Sequence, residues 1–346
     1  MTTGNPTVTP PLPILDYGTE KSNTWQRVGS VLNSLGPLMG LVVVFTFFSV
    51  ERPTIFFSWS NFQIILVQTA VVATAALGAT CVIVSGGIDL SVGSSIALCT
   101  VVIAQSLRAG HSPMIAGISG IFACLCTGLI IGLLVTMLNL SPFIVTLGLW
   151  GALRGFAKWY AADTNVDPPD AVTGTWLFHL LYALRPNQSW MIFPIGVWIM
   201  LALTVAVGLV LRYTRFGRHI FAIGSNELTA RLCGVRVERA KVLIYLFATL
   251  FTGIAGVLFF SHLGIGDPTS ADGLELNVIA AVVIGGASLT GGQGGVAGTL
   301  VGAMLMTVVN NGCTKMRMAT SIQQIVTGII IVLAAILDRF RHRRST

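Results

Sequence analysis

The chain alternates long apolar stretches with short polar ones. No Asp, Glu, Lys or Arg occurs in 28–50, 53–88, 90–107, 112–153, 186–211, 242–266, 276–314 or 318–337. A helix that crosses a bilayer needs roughly 20 apolar residues, and most of these windows hold one or two. The spacing predicts about ten spans, near 30–50, 61–84, 91–108, 114–138, 141–160, 191–212, 240–262, 276–290, 296–313 and 320–338. Unbroken, the run 112–153 would make a helix of about 63 Å, twice the apolar thickness of a bilayer. Ser141-Pro142 is the natural break, because proline disfavours helix in the residue before it and often opens a new one. The window 276–314 is interrupted by Gly291, Gly292, Gly294 and Gly295. The predicted fold class is an all-α polytopic membrane protein.

Composition agrees. Of the 346 residues 54% are hydrophobic and 10% charged, against about 25% charged in soluble domains, so the solvent must be largely lipid. Residues 1–29, with Pro6, Pro10, Pro11 and Pro13, read as a disordered cytoplasmic tail and not as a secretory signal. The transmembrane domain is placed at 30–338 and a basic tail at 339–346.

Charge sets the orientation, since cytoplasmic loops carry the excess of Lys and Arg. With ten spans the termini and the 213–239 loop share one side. That side holds Lys21, Arg27, Arg212, Arg215, Arg218, Arg231, Arg236, Arg239, Lys241 and Arg339, Arg341, Arg343 and Arg344. The other side holds Arg52, Arg108, Arg185, Lys315 and Arg317, with Glu51, Asp163, Asp167, Asp170, Asp267, Asp272 and Glu275. N and C termini are therefore expected in the cytoplasm. Topology accounts for the net charge of +7, and no nucleic-acid partner is implied.

Candidate chemistry is sparse. The six cysteines, with Cys124 and Cys126 as a CxC pair, and the scattered histidines have no metal-site spacing. No metal, cofactor or catalytic residue is expected. Trp150, Trp159, Trp176, Trp190 and Trp198 lie near predicted boundaries, as in an interfacial aromatic belt. Arg154 and Lys158 share one face of the fifth span near its outer end, and snorkel to the headgroups or line a polar vestibule.

Three segments stand out. In 81–98, CVIVSGGIDLSVGSSIAL, an apolar helix ends at Gly86-Gly87 and another begins near Ser91. Asp89 and Ser91 are both good cap residues. Asp89 either caps the helix or anchors a bend that moves and touches substrate or a neighbouring subunit. Residues 285–292 echo 86–93 at an offset of 199, so that Gly86-Gly87 aligns with Gly285-Gly286 and Ser91 with Thr290. Paired interrupted helices can mark a transport pathway, and close helix packing is the simpler role of such glycines. The chain has no G-x-x-x-x-G-K-[ST] phosphate loop, so any ATP hydrolysis must occur on another polypeptide. In the 213–239 loop, 226–232 reads as a short helix capped by Ser225 or Asn226 and ended by Gly234, either part of a plain topogenic loop or a docking element for a soluble partner.

These segments, GGIDLSVG at 86–93, the FGR…IGSNE…AR…G loop at 216–234, and 276–302 followed by Asn310-Asn311-Gly312, resemble the permease subunits of the ribose/galactose/xylose class of bacterial ABC importers. The similarity runs over about 30–340. The resemblance implies a subunit of the bacterial inner membrane that pairs with a second permease copy or a paralogue. It would bind two ATP-hydrolysing cytoplasmic subunits and receive a monosaccharide or similar polyol from a periplasmic sugar-binding protein. It places the coupling to the ATPases on Gly224, Ser225, Asn226, Glu227, Ala230, Arg231 and Gly234. Gly86, Gly87, Asp89, Ser91, Gly285, Gly286, Asn310 and Asn311 are the pore or gating candidates. The Pro-rich tail and the long 161–190 loop depart from the family pattern. The rival reading is a self-sufficient secondary transporter. Such proteins usually carry ionisable residues in mid-span, and here Asp89, Arg154 and Lys158 all lie near predicted span ends.

The topology predicts that cysteines introduced at positions 170 and 228 react with an impermeant thiol reagent from opposite faces, 170 from the periplasm. Reaction of both from one face would break the ten-span arrangement.

Overall fold

The computed structural model describes residues 24–181 and 192–343, with side chains for 36–181 and 192–336. The predicted 1–29 tail lies outside them up to residue 23, as do the end of the basic tail from 344 and Trp190. The structure separates into two units, Met1–Gly36 and Pro37–Thr346. The described part of the first is helical, and the second holds the helix bundle.

Each of the ten predicted segments is a helix. In chain order the α-helices are α1 (Thr24–Glu51), α2 (Pro53–Phe56), α3 (Trp59–Val84), α4 (Val92–Arg108), α5 (Pro113–Met137), α6 (Pro142–Tyr160), α7 (Ile195–Tyr213), α8 (Arg215–Ser225), α9 (Glu227–Leu232), α10 (Val237–Leu263), α11 (Leu274–Ile284), α12 (Val296–Lys315) and α13 (Thr320–Arg343). Among the described residues five helices, α3, α5, α7, α10 and α12, are long and apolar enough to cross a bilayer. The break at Ser141-Pro142 falls as the proline rule requires, with Pro142 opening α6. The span predicted at 276–290 needs correction. Helix α11 ends at Ile284 with Gly285 as its C-cap, because the chain reverses at Gly286 in a left-handed conformation, φ +93°. At 1.5 Å per residue α11 is roughly 16 Å long, about half the apolar thickness of a bilayer.

Small residues let the helices approach. Helix α3 is buried along most of its length and packs on α10, α12, α11 and α7. A Cβ on Gly78 of α3 would meet the Ala248 carbonyl of α10 at 2.5 Å, and one on Gly132 of α5 would come within 2.9 Å of the Val242 backbone. Helices α11 and α12 touch through Gly285 against Gly298 and Gly302 against the Ala281 carbonyl. Where water cannot supply hydrogen bonds, polar side chains must find them locally. Thr69, Thr74 and Thr80 each donate back to the carbonyl four residues earlier. The Thr80 and Thr299 hydroxyls also meet at 2.9 Å, tying α3 to α12. The apolar side chains left outside, such as Val43, Phe122, Ile144, Val205 and Val332, are more than half exposed in the chain alone, and suit lipid or a partner chain.

Contacts between loops sort the helix ends into two sets. Val166 pairs with Gly266 in an isolated antiparallel bridge, and Gln105 reaches the Tyr160 carbonyl, joining the loops after α4, α6 and α10. The turns after α3 and α11 meet at the opposite ends, where the Gly292 N–H donates to the Val84 carbonyl at 2.8 Å.

Gly302→Val should force α11 and α12 apart, costing about 1–3 kcal/mol as overpacking does. Gly148→Val on α6 meets nothing within 4 Å and should leave stability unchanged. Thermal unfolding of the two variants in detergent checks the contrast.

Candidate functional site

Helix α3 ends in a Schellman motif. The Ser85 N–H donates to the Cys81 carbonyl and the Gly87 N–H to that of Val82, with Gly86 left-handed at φ +84°. Helix α11 ends the same way through Gly285, Gly286 and Ala287, whose N–H groups bond Ala281, Val283 and Val282. A side-chain turn follows each. The Asp89 carboxylate accepts from the Ser91 N–H (2.8 Å) and hydroxyl (2.7 Å), and the Ser288 hydroxyl oxygen accepts from the Thr290 N–H (3.2 Å). The echo between the segments is therefore structural, with a slip inside it. The helix ends correspond at an offset of 200, Gly86 to Gly286, and the side-chain turns at 199, Asp89 to Ser288. The cap expected of Ser91 also differs. Ser91 occupies the N-cap position of α4 without a side-chain cap bond, its backbone being helical (φ −81°, ψ −3°) and not extended as a capping residue's usually is.

Burial pushes the Asp89 carboxyl up from its usual range, and the two bonds from Ser91 oppose that rise. Gly87 is buried against the Tyr245 hydroxyl, which a Cβ would approach to 2.7 Å. Gly86 and Gly286 lie at the tips of their turns, Gly286 exposed and Gly86 beside Gly291.

The two turns meet the loop between α7 and α10. Helix α8, an amphipathic helix capped by Thr214, brings Gly224 against the Val84 carbonyl and the Gly292 N–H, and Gly291 lies against Gly224 and Gly86. Any side chain at 224 would strike backbone. Two residues on, Asn226 caps α9 through a 2.9 Å bond from the Thr229 N–H. The cap at Asn226 and the stop at Gly234, φ +85°, are as expected. Ala230 is buried on the inner face of α9 and Ser225 and Asn226 are exposed. Glu227 and Arg231 already have partners. Glu227 pairs with Lys241 (2.7 Å) and with Arg231 (3.5 Å), and Arg231 pairs with Glu238, fastening α9 to the start of α10. The outward face instead presents Leu228 and Leu232, 73% and 88% exposed.

Two ionisable residues are more enclosed than the sequence pattern suggests. The Arg154 side chain is 12% exposed. Its guanidinium donates to the Pro268 (3.1 Å) and Ser270 carbonyls and lies 3.8 Å from Asp272, pinning the 264–273 loop to α6. Glu275, grouped by the sequence pattern with the loop acids, is buried in the first turn of α11. Its Oε1 accepts from the Trp150 indole N–H (3.2 Å), and its Oε2 packs against Gly93 of α4. The missed signal was the short interval between Glu275 and the helix stop at Gly285-Gly286, which makes 275 the start of a half-length helix.

Polar cavities open among α3, α10, α11, α12 and α13. The first, about 330 Å³, is lined by Gln68, His262, Asn277, Asn310 and Asn311 with apolar neighbours such as Phe259. The second, about 540 Å³, is lined by Asp272, Glu275, Asn277, Asn310, Gln323 and Thr327 among others. Of the pore candidates, Asn310 and Asn311 line these cavities; the glycines, Asp89 and Ser91 line neither.

Apolar side chains outside, amides and hydroxyls inside, and two helices interrupted back to back define a multi-pass membrane transport protein. Residues 61–335 match the family described as "Branched-chain amino acid transport system / permease component". The ribose import permease protein RbsC of Bacillus subtilis is 36% identical over 324 residues, 93% of this chain and 98% of the relative. The L-arabinose ABC transporter permease protein AraH of Azospirillum brasilense is 31% identical over 324 residues, 94% and 91% of the two chains. The fructose import permease protein FrcC of Rhizobium meliloti is 32% identical over 306 residues, 88% and 84%. The chain belongs to this permease family, in its ribose-type sugar ABC class, and is a multi-pass protein of the inner membrane.

Asp89→Asn keeps the oxygen that accepts both Ser91 bonds and should preserve the amount of folded protein. Asp89→Ala strands a buried hydroxyl and N–H and should cost about 1–3 kcal/mol. Folded protein per cell, by fluorescence-detected gel filtration, separates the two; equal loss in both would show that the charge itself holds the turn.

Proposed function

We propose that the chain is the membrane subunit of an ATP-driven importer of a monosaccharide or similar polyol. Separate cytoplasmic ATPase subunits power it, and a periplasmic binding protein feeds it. It works beside a second permease copy or a paralogue, with ten spans and both termini in the cytoplasm. The observation that carries the reading is the contact of Gly224 with both interrupted turns. A partner that grips α9 gains a rigid backbone lever on the ends of α3 and α11, next to the helices that line the cavities. Coupling falls to 224–234. Gly86, Gly87, Asp89, Ser91, Gly285 and Gly286 act as hinge and gate, and Asn310 and Asn311 as pore lining.

The charges of Glu227 and Arg231 shape α9, so the grip falls on Leu228 and Leu232. Two apolar side chains at i and i+4 on an exposed helix form the anchor that inserts into a groove on a partner. The relatives named for ribose, L-arabinose and fructose support the solute class, which needs hydrogen-bonding groups and no counter-charge. Proteoliposomes holding the chain, its ATPase subunits and the binding protein should accumulate labelled monosaccharide only with ATP. Absence of ATP-dependent uptake of ribose, L-arabinose and fructose would sink the reading.

Leu228→Asp and Leu232→Asp should each reduce co-purification of the ATPase at least tenfold while leaving the permease in the membrane. Full retention of the ATPase by the double variant would move the docking face elsewhere.

A further inference from the structure

The two polar cavities share one pair of amides. Asn277 of α11 and Asn310 of α12 line both, and Asn310 Nδ2 donates to Asn277 Oδ1 at 3.2 Å. On the side of the first cavity, Gln68 from α3 and Asn311 from α12 join them. Asn311 is 3% exposed, and its Oδ1 has no hydrogen-bond partner among the described residues. The Thr307 and Thr314 hydroxyls nearby donate to the carbonyls four residues earlier in α12, and Asn277 Nδ2 donates to the Gly273 carbonyl at 3.4 Å, so Asn311 Oδ1 is the acceptor left to meet a solute.

The chemistry of this lining is specific. A side-chain amide offers a donor and an acceptor in one plane, the complement of two neighbouring hydroxyls on a sugar ring. No carboxylate lines the first cavity, and its one Lys or Arg, Lys315, sits in the last turn of α12. A hard cation would require several oxygen ligands, carboxylates among them, and an anion would require cationic partners. A neutral polyhydroxyl solute requires what is present. The cavity is also large enough for one ring, with apolar walls from Val71, Val72 and Phe259 for its C–H faces.

We propose that Gln68, Asn277, Asn310 and Asn311 form a polyol-binding station within the permease itself. The Asn277–Asn310 bond closes the passage between the two cavities, and a monosaccharide's hydroxyls replace it as the solute moves through. Asn311 Oδ1 accepts from one of those hydroxyls. The station rests on the importer reading and deepens it: the membrane subunit selects its solute as well as the binding protein, because a site built to bond hydroxyls discriminates strongly against a solute that lacks them.

The test measures sugar moved per ATP hydrolysed in proteoliposomes of the full complex, with ribose, L-arabinose and fructose as solutes. A misfolded fraction lowers transport and hydrolysis together and leaves this ratio unchanged. Asn277→Leu and Asn311→Leu should each lower the ratio at least threefold, and Asn277→Gln should recover at least half of the loss. A fall of less than threefold in both Leu variants overturns the station while leaving the importer reading in place. So does a Gln variant as impaired as Leu. If the unmodified complex moves none of the three sugars with ATP, the importer reading and the station fall together.

Discussion

The 2.8 Å bond from the Gly292 N–H to the Val84 carbonyl joins the end of α3 to the loop that follows α11. In lipid every backbone N–H and C=O must be satisfied within the protein, so a helix that stops in a membrane domain must dispose of its last carbonyls. Helices α3 and α11 do so with Schellman motifs and a side-chain turn apiece, and then share a backbone bond across the gap. Gly224, Gly291 and Gly292 exist at these positions because backbone meets backbone there, and no Cβ fits.

That junction explains how the remainder is arranged. Helix α9 lies outside the bundle, yet its preceding residues are in backbone contact with both turns. The ion pairs of Glu227, Arg231, Lys241 and Glu238 hold α9 in register with α10. Exposed ion pairs are individually worth little, but here each shares a partner with another, so they act together to orient Leu228 and Leu232. On the far side Arg154 performs the corresponding task, gathering the 264–273 loop by its carbonyls and setting α11 to begin in mid-bundle with Glu275 buried. The half-length α11 brings Asn277 beside Asn310, and the amide pair follows from that placement.

Much of this was legible in the sequence. Charge-free windows located a helix at each of the ten predicted positions, five of them long and apolar enough to cross a bilayer, Ser141-Pro142 located a break inside one of the windows, and Asn226 with Gly234 located α9. These features are local: proline geometry, capping oxygens and left-handed glycines act within a few residues. The resemblance of GGIDLSVG and the 216–234 loop to sugar permeases named the family that the comparisons show. What stayed hidden was non-local. Glu275 counted as a loop acid because a single acid at an apolar boundary looks alike inside and out. The ion pairs of Glu227 and Arg231 with Lys241 and Glu238 were not legible because those partners lie beyond the helix stop. The echo at 199 hid its one-residue slip because glycines align equally well at either offset.

The sequence by itself determined that the chain is helical, lives in lipid and carries a capped helix in its most basic loop, since apolar length and side-chain capping need no distant partner. Only the tertiary structure decided that Glu275 is buried, that Gly224 bears on two turns at once, and that Asn277 meets Asn310. Those outcomes depend on which surfaces approach within a few ångströms, and proximity between residues far apart in the chain leaves no local signature.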